Sequence, residues 1–169
     1  MAEQNHAGGN RTVMVGGDRE AFVRALPLLE LIATHVHYVG ASGFGTAAKL
    51  INQSIYVTYL AAFAEGLALG ERSGLGRDIL LDVLSTSAAG SPRIASKFDE
   101  IRGLSADRFA IGSALRYLAL GQEAFPHVAS LTPVINAAMA SLRDAAALGL
   151  GGEDIIVARH RYLNGKIEQ

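Results

Sequence analysis

From Phe44 to about Ser73 the chain reads as one apolar helix, and no other segment constrains the fold as strongly. About 30 residues at 1.5 Å each make a rod of ~45 Å. A domain of this size has a radius of gyration of roughly 15 Å, so part of the rod must project or be clasped by another chain. Its most apolar stretch, Ile55 to Leu69, is cut by Thr58 and Glu65 and is short for a membrane span. With 169 residues, half of them hydrophobic, the chain has interior enough to fold as one compact unit. Charged residues make up 18% and the formal net charge is -1, which gives no drive toward nucleic acid or anionic lipid. The lack of cysteine excludes disulfides and thiol-bound metals and fits a cytoplasmic protein. The start, Met1-Ala-Glu-Gln-Asn-His6, is polar and carries no signal-peptide pattern.

Residues 1 to 11 read as a flexible tail. Val13-Met-Val15 is a short strand ended by Gly16-Gly17, and Asp18 is a good N-cap for a helix through Thr34. In that helix Phe22, Leu26, Leu29 and Ile32 recur at helical spacing. His35-Val-His-Tyr-Val39 is a second short strand. Two strands do not make a stable sheet alone, and their open edges invite pairing. From Gly43 onward the reading is all helix. After the long rod come helices from Arg77 to Leu84, from Pro92 to about Ile101 and from Asp107 or Arg108 to Ala124. Two more run from Thr132-Pro133 to Leu148 and from Asp154 to Asn164. The expected fold is therefore mainly α: a helical bundle over 41–169 built on one long helix, preceded by a strand-helix-strand piece over 12–40.

The chemistry concentrates at the mouth of the rod, in Gly40-Ala-Ser-Gly43-Phe-Gly45-Thr-Ala-Ala-Lys49-Leu-Ile-Asn52-Gln53. Glycines there permit tight turns and close approach of a backbone or a ligand. Lys49, Asn52 and Gln53 stand at i, i+3 and i+4 and project from one helix face. On spacing alone, Lys49 reads first as a lysine that snorkels at the edge of an apolar helix. Other polar residues say less. His35 and His37 share a strand face, but no third ligand stands at a recognisable spacing, so no metal site is expected. His127 reads as a loop residue. His160, among Arg159, Arg161 and Tyr162, reads as part of the wet side of the last helix. Tyr56 and Tyr59 read as core or interface, Glu65 as structural, and Ser85, Thr86, Ser87 and Ser91 as hydroxyls without a base.

The glycine-rich Lys/Asn run resembles a signature of the β-hydroxyacid dehydrogenases, the group that holds 3-hydroxyisobutyrate dehydrogenase and tartronate semialdehyde reductase. Thr12-Val-Met-Val-Gly16-Gly17-Asp18, Pro27-Leu-Leu, Ala64-Glu65-Gly66-Leu67-Ala68-Leu69, Gly74-Leu-Gly76 and Gly149-Leu-Gly-Gly-Glu153-Asp154 extend it over about residues 8 to 165. The resemblance implies that Lys49 is the general acid/base and that Asn52 or Gln53, with Gly43, positions substrate. An amine suits that work when burial or a nearby positive charge lets its neutral form exist near the working pH. The family's Lys-Asp pair near the nicotinamide maps either to Ala114-Leu115 or to Arg116-Tyr117. Arg116 is thus a candidate cofactor contact that cannot titrate. Its alternative is a solvated helix charge.

The resemblance also implies a missing part. No Gly-x-Gly-x-x-Gly turn joins a strand to a helix, the usual cradle for a pyrophosphate. Ala7-Gly8-Gly9 stands near the family's substrate segment without its serine. The implied fold is the 6-phosphogluconate dehydrogenase C-terminal type, with 12–40 as a Rossmann remnant and 41–169 as a dimerisation and substrate domain. The expectation is the C-terminal helical half of an NAD(P)-dependent β-hydroxyacid dehydrogenase, a homodimer that supplies the acid/base lysine, does not transfer hydride as an isolated chain, and has its nucleotide-binding half on a separate chain or lost. Its substrate would be a small hydroxyacid, and NAD or NADP would not bind this chain alone. The alternative is a standalone, non-redox helical dimer that binds a small acid or serves as an assembly module.

Overall fold

The computed structural model describes residues 11–91, 94, 97–98, 101–102, 109–127 and 129–165. Ala7-Gly8-Gly9, Pro92 and the expected helix start at 107 or 108 lie outside them. The chain divides into two compact units, Met1–Asn52 and Gln53–Gln169. No described helix is long and apolar enough to cross a membrane.

In the first unit, β1 (Thr12–Gly16) and β2 (His35–Gly40) pair in parallel, Thr12 opposite His35 and Val15 opposite Tyr38, with an irregularity before Gly16. Helix α1 (Arg19–Leu29) joins them. Asp18 caps it as the sequence predicts: its backbone is extended and its carboxylate accepts from the Ala21 amide at 2.8 Å. The helix ends five residues before the expected Thr34. Beyond Leu29 the bonds tighten, Leu31 N–H to Leu28 O and Ile32 N–H to Leu29 O, and this turn carries the chain back into β2. Tyr38 Oη donates to Gly17 O at 2.8 Å, and Arg19 lies over the Tyr38 ring. One helix on two strands covers little, and no residue of α1 is fully buried.

Helix α2 spans Phe44–Arg72, close to the expected rod. Its first turn crosses the end of β1 so closely that a Cβ on Gly45 would stand 2.6 Å from Met14 O, and one on Gly16 2.4 Å from Ala41 O. Gly45 of the signature run and Gly16 at the end of β1 are thus explained by backbone meeting backbone.

The second unit is built on the rest of α2. Val57, Leu60, Phe63, Ala64 and Leu67 form one side of a core that continues into Leu81 of α3 (Arg77–Thr86). Gly70 lets α3 approach, since a Cβ there would meet a Leu80 methyl at 2.4 Å. Helical backbone at Ile94, Lys97, Phe98 and Ile101 brings Ile94 and Phe98 into the same core. Helix α4 (Ile111–Ala124) contributes Ile111, Ala114 and Leu118. Helix α5 (Pro133–Ala147) opens on its proline, as expected, and buries Ala138, Met139, Leu142 and Ala145. Helix α6 (Ile155–Gly165) buries Ile155, Ile156 and Ala158. An isolated antiparallel bridge pairs Ala110 with Asp154, which is why α4 begins at Ile111.

Candidate functional site

Lys49 stands in the second turn of α2, exposed, with no hydrogen bond or ion pair among the described residues. Asn52 is exposed one turn on, and Gln53 is half-buried. Gly43, just before the helix, has φ 90° and open space where a Cβ would go, so conformation rather than crowding calls for glycine. The amine and the Asn52 amide are therefore unspent groups on one helix, open to a bound molecule.

The two readings of the Lys-Asp position separate on burial. Ala114 is fully buried and Leu115 packs on the core, so that register presents no polar group. Arg116 is exposed on α4, and Tyr117 tilts against Phe109 with ring centres 6.2 Å apart.

The polar residues that the fold itself gathers are elsewhere, in the second unit. Lys97 Nζ donates to Asp154 Oδ2 at 2.9 Å, with side chains only 2% and 3% exposed. Asp154 also accepts from the amides of Phe109 at 2.6 Å and Ile156 at 2.9 Å, so it closes the bridge, caps α6 and neutralises a buried ammonium. Arg159, placed by sequence on a wet face, is buried and donates to Glu65 Oε1 at 2.6 Å; Glu65 is structural, as expected. His160 likewise turns inward, its Nε2 meeting Glu71 Oε2. Glu71 also takes Arg77, and that hydrogen bond, helped by His160, holds its carboxyl below the ordinary value of 4.5 against the opposing effect of burial. These residues link α2, α3 and α6, and no short motif announces them.

The remaining candidates are accounted for by structure. Tyr59 Oη donates to Ala89 O, and Tyr56 stacks on Phe109. Ser85, Thr86 and Ser87 donate to carbonyls of the preceding turn. Ser91 Oγ accepts from the Ile94 amide. His35 and His37 are exposed, His127 is an exposed turn residue, and no metal-binding group of three or more acidic, histidine or cysteine side chains occurs among the described residues.

Residues 43–160 match the family described as NAD-binding of NADP-dependent 3-hydroxyisobutyrate dehydrogenase. An NAD-dependent L-serine dehydrogenase of Pseudomonas aeruginosa is 30% identical over 165 residues, 92% of this chain and 55% of its own length. An L-threonate dehydrogenase of Cupriavidus necator is 33% identical over 150 residues, 88% of this chain and 50% of its own length. The crystal structure of a 3-hydroxyisobutyrate dehydrogenase from Salmonella typhimurium superposes with a TM-score of 0.79 at 28% identity, over 91% of this chain and 54% of that one. The chain spans about half the length of the curated relatives it matches.

These matches correct the sequence reading on three counts. The fold class expected for 41–169, a C-terminal dimerisation and substrate bundle behind a Rossmann remnant, gives way to an NAD-binding domain. The function expected, a dehydrogenase half without its cofactor domain, and its non-redox alternative fall with it. So does the expectation that NAD or NADP would not bind this chain. The reading of everything from Gly43 onward as helix is corrected as well, by the isolated bridge between Ala110 and Asp154, while the two expected strands are present as β1 and β2. The physical reason is that a Gly-x-Gly-x-x-Gly turn reports only one way of holding a pyrophosphate, on backbone amides between a strand and a helix. A chain without that turn can still meet a dinucleotide through side chains or other helix N-termini, and those leave no fixed spacing.

Proposed function

This chain belongs to the NAD-binding family of NADP-dependent 3-hydroxyisobutyrate dehydrogenase, and we propose that it serves a β-hydroxyacid dehydrogenase by engaging NAD or NADP and presenting Lys49 to a small hydroxyacid. The observation that carries this reading is an exposed lysine, with no partner among the described residues, in the glycine-rich run 40–53 of a chain matched to that family.

The residues present fit an anionic dinucleotide and a hydroxyacid. Lys49 is an exposed cation, and Asn52 offers a carboxamide that can donate and accept; in the second unit Arg116 is an exposed cation in its own right. The nicotinamide, when bound, accepts or returns the hydride. Where bound cofactor and substrate cover the exposed amine and exclude water from it, Lys49 Nζ takes the substrate's hydroxyl proton during oxidation and gives it back to the forming alkoxide during reduction. Asn52, one turn along the same helix, orients the hydroxyl or the amine by hydrogen bonding, with Gln53 beside it.

The test follows backbone amide resonances of the chain while NADPH or NADH is added. Saturable shifts are expected around Lys49–Gln53. No shift at millimolar cofactor would defeat the proposal. Where turnover of a hydroxyacid is measurable, Lys49→Ala should lower it by ~10²–10⁴; an unchanged rate removes the acid/base role.

A further inference from the structure

A cavity of about 200 Å³ lies within the second unit, where α2, α3 and α6 meet. Its floor is apolar: Leu67 of α2, Ile101, and Ile156 and Val157 of α6. Its rim is charged, with Glu71, Arg77, His160 and Arg161 around the opening. The rim carries two guanidinium groups and an imidazole against one carboxylate. That carboxylate is already committed, because Glu71 takes Arg77 on both oxygens and His160 on Oε2.

Arg161 is differently placed. Among the described residues the one carboxylate within 4 Å of its guanidinium is that of Glu153, at 3.9 Å, beyond hydrogen-bond distance and with both side chains in solvent. A guanidinium with unspent donors at the edge of a small apolar cavity is suited to a planar carboxylate whose remainder is hydrophobic.

We propose that this cavity binds a small amphipathic monocarboxylate, its carboxylate on Arg161 and its short apolar body on Leu67, Ile101, Ile156 and Val157. The size follows from the volume: room for about six waters suits an acid of about six non-hydrogen atoms. The class follows from the two surfaces together. Inorganic phosphate would leave the floor uncovered, and an amine would face a rim of net positive charge.

Butanoate is the probe, added to the full chain while backbone amide resonances are followed. Saturable shifts at Val157, His160 and Arg161 in the millimolar range are expected. Arg161→Ala should weaken binding about tenfold, the loss of one charge-assisted contact, with thermal unfolding unchanged. Val157→Trp should block the cavity while leaving the guanidinium in place. The proposal is overturned if butanoate gives no saturable shifts. It is equally overturned if n-butylammonium or inorganic phosphate matches butanoate, or if either variant binds it as well as the parent chain. The cofactor plays no part in this titration, so its outcome is independent of dinucleotide binding.

Discussion

Replacing Lys97 or Asp154 should destabilise the second unit far more than either residue's chemistry suggests on a surface. The ammonium and the carboxylate are almost wholly removed from solvent and 2.9 Å apart. Lys97→Met leaves a buried carboxylate that still accepts from the Phe109 and Ile156 amides, so its cost lies near the lower end for a broken buried pair, about 3 kcal/mol. Asp154→Ala does more. It strips the ammonium of its counter-charge and takes the cap from α6, for a total of about 5 kcal/mol. Domains are stable by roughly 5–15 kcal/mol, so the second variant approaches the unfolding threshold. The double variant, Lys97→Met with Asp154→Ala, should be less damaging than the sum, because no unbalanced charge remains. Urea unfolding followed by far-UV circular dichroism measures all three, with stability read from midpoints at constant slope. The reasoning fails if either single variant lies within about 0.5 kcal/mol of the parent chain, or if the two losses simply add.

Glu71 makes stability depend on acid. Its folded-state carboxyl sits below its ordinary value, so its contribution is complete above the ordinary carboxylate range and is lost as pH falls through the lowered value. Glu71→Gln should therefore flatten the acid side of a melting-temperature profile, and an unchanged profile would contradict this. Gly45→Ala should cost about 1–3 kcal/mol, because its Cβ would press on Met14 O and backbone cannot easily yield. Gly43→Ala, strained only by its positive φ, should cost about 1 kcal/mol; equal losses in thermal melts would refute the distinction. Phe44, Ile51, Ile55 and Leu69 are each more than half exposed along α2 at near-heptad spacing, and we propose that they seat a second copy of this chain. Light scattering should report a homodimer that Ile51→Glu with Ile55→Glu dissociates; a monomeric parent chain would refute it.

Local signals were legible in the sequence, and long-range ones were not. Asp18, the two short strands, the rod from Phe44 and the proline opening α5 depend on neighbours within a few residues, which spacing and propensity report. The end of α1 was misplaced because Ile32 continues the apolar spacing although the backbone has already tightened into a turn. The ambiguity over Ala114 or Arg116 was one of register, and only burial separates the two. The charged network was invisible for a plainer reason. Lys97 and Asp154 are 57 residues apart, Glu71 and His160 89, and Glu65 and Arg159 94. Nothing in a short window brings such partners together, so Arg159 and His160 read as solvated. Spacing puts Lys49, Asn52 and Gln53 on one helix face, and only the family resemblance turns that face into an acid/base candidate; dinucleotide binding leaves no mark in the sequence where the strand-turn-helix glycine fingerprint is lacking.

Asp154 also governs the order in which this unit can assemble. Helix α6 has its cap at once, from a carboxylate two residues away, but its counter-ion and its tether to Phe109 come through that same carboxylate only after segments far back along the chain have arrived. Contacts that close long loops form late, since the entropy of closure precedes any return. The last helix therefore behaves as a latch, and damage to its catch should quicken unfolding while leaving the rate of folding nearly untouched.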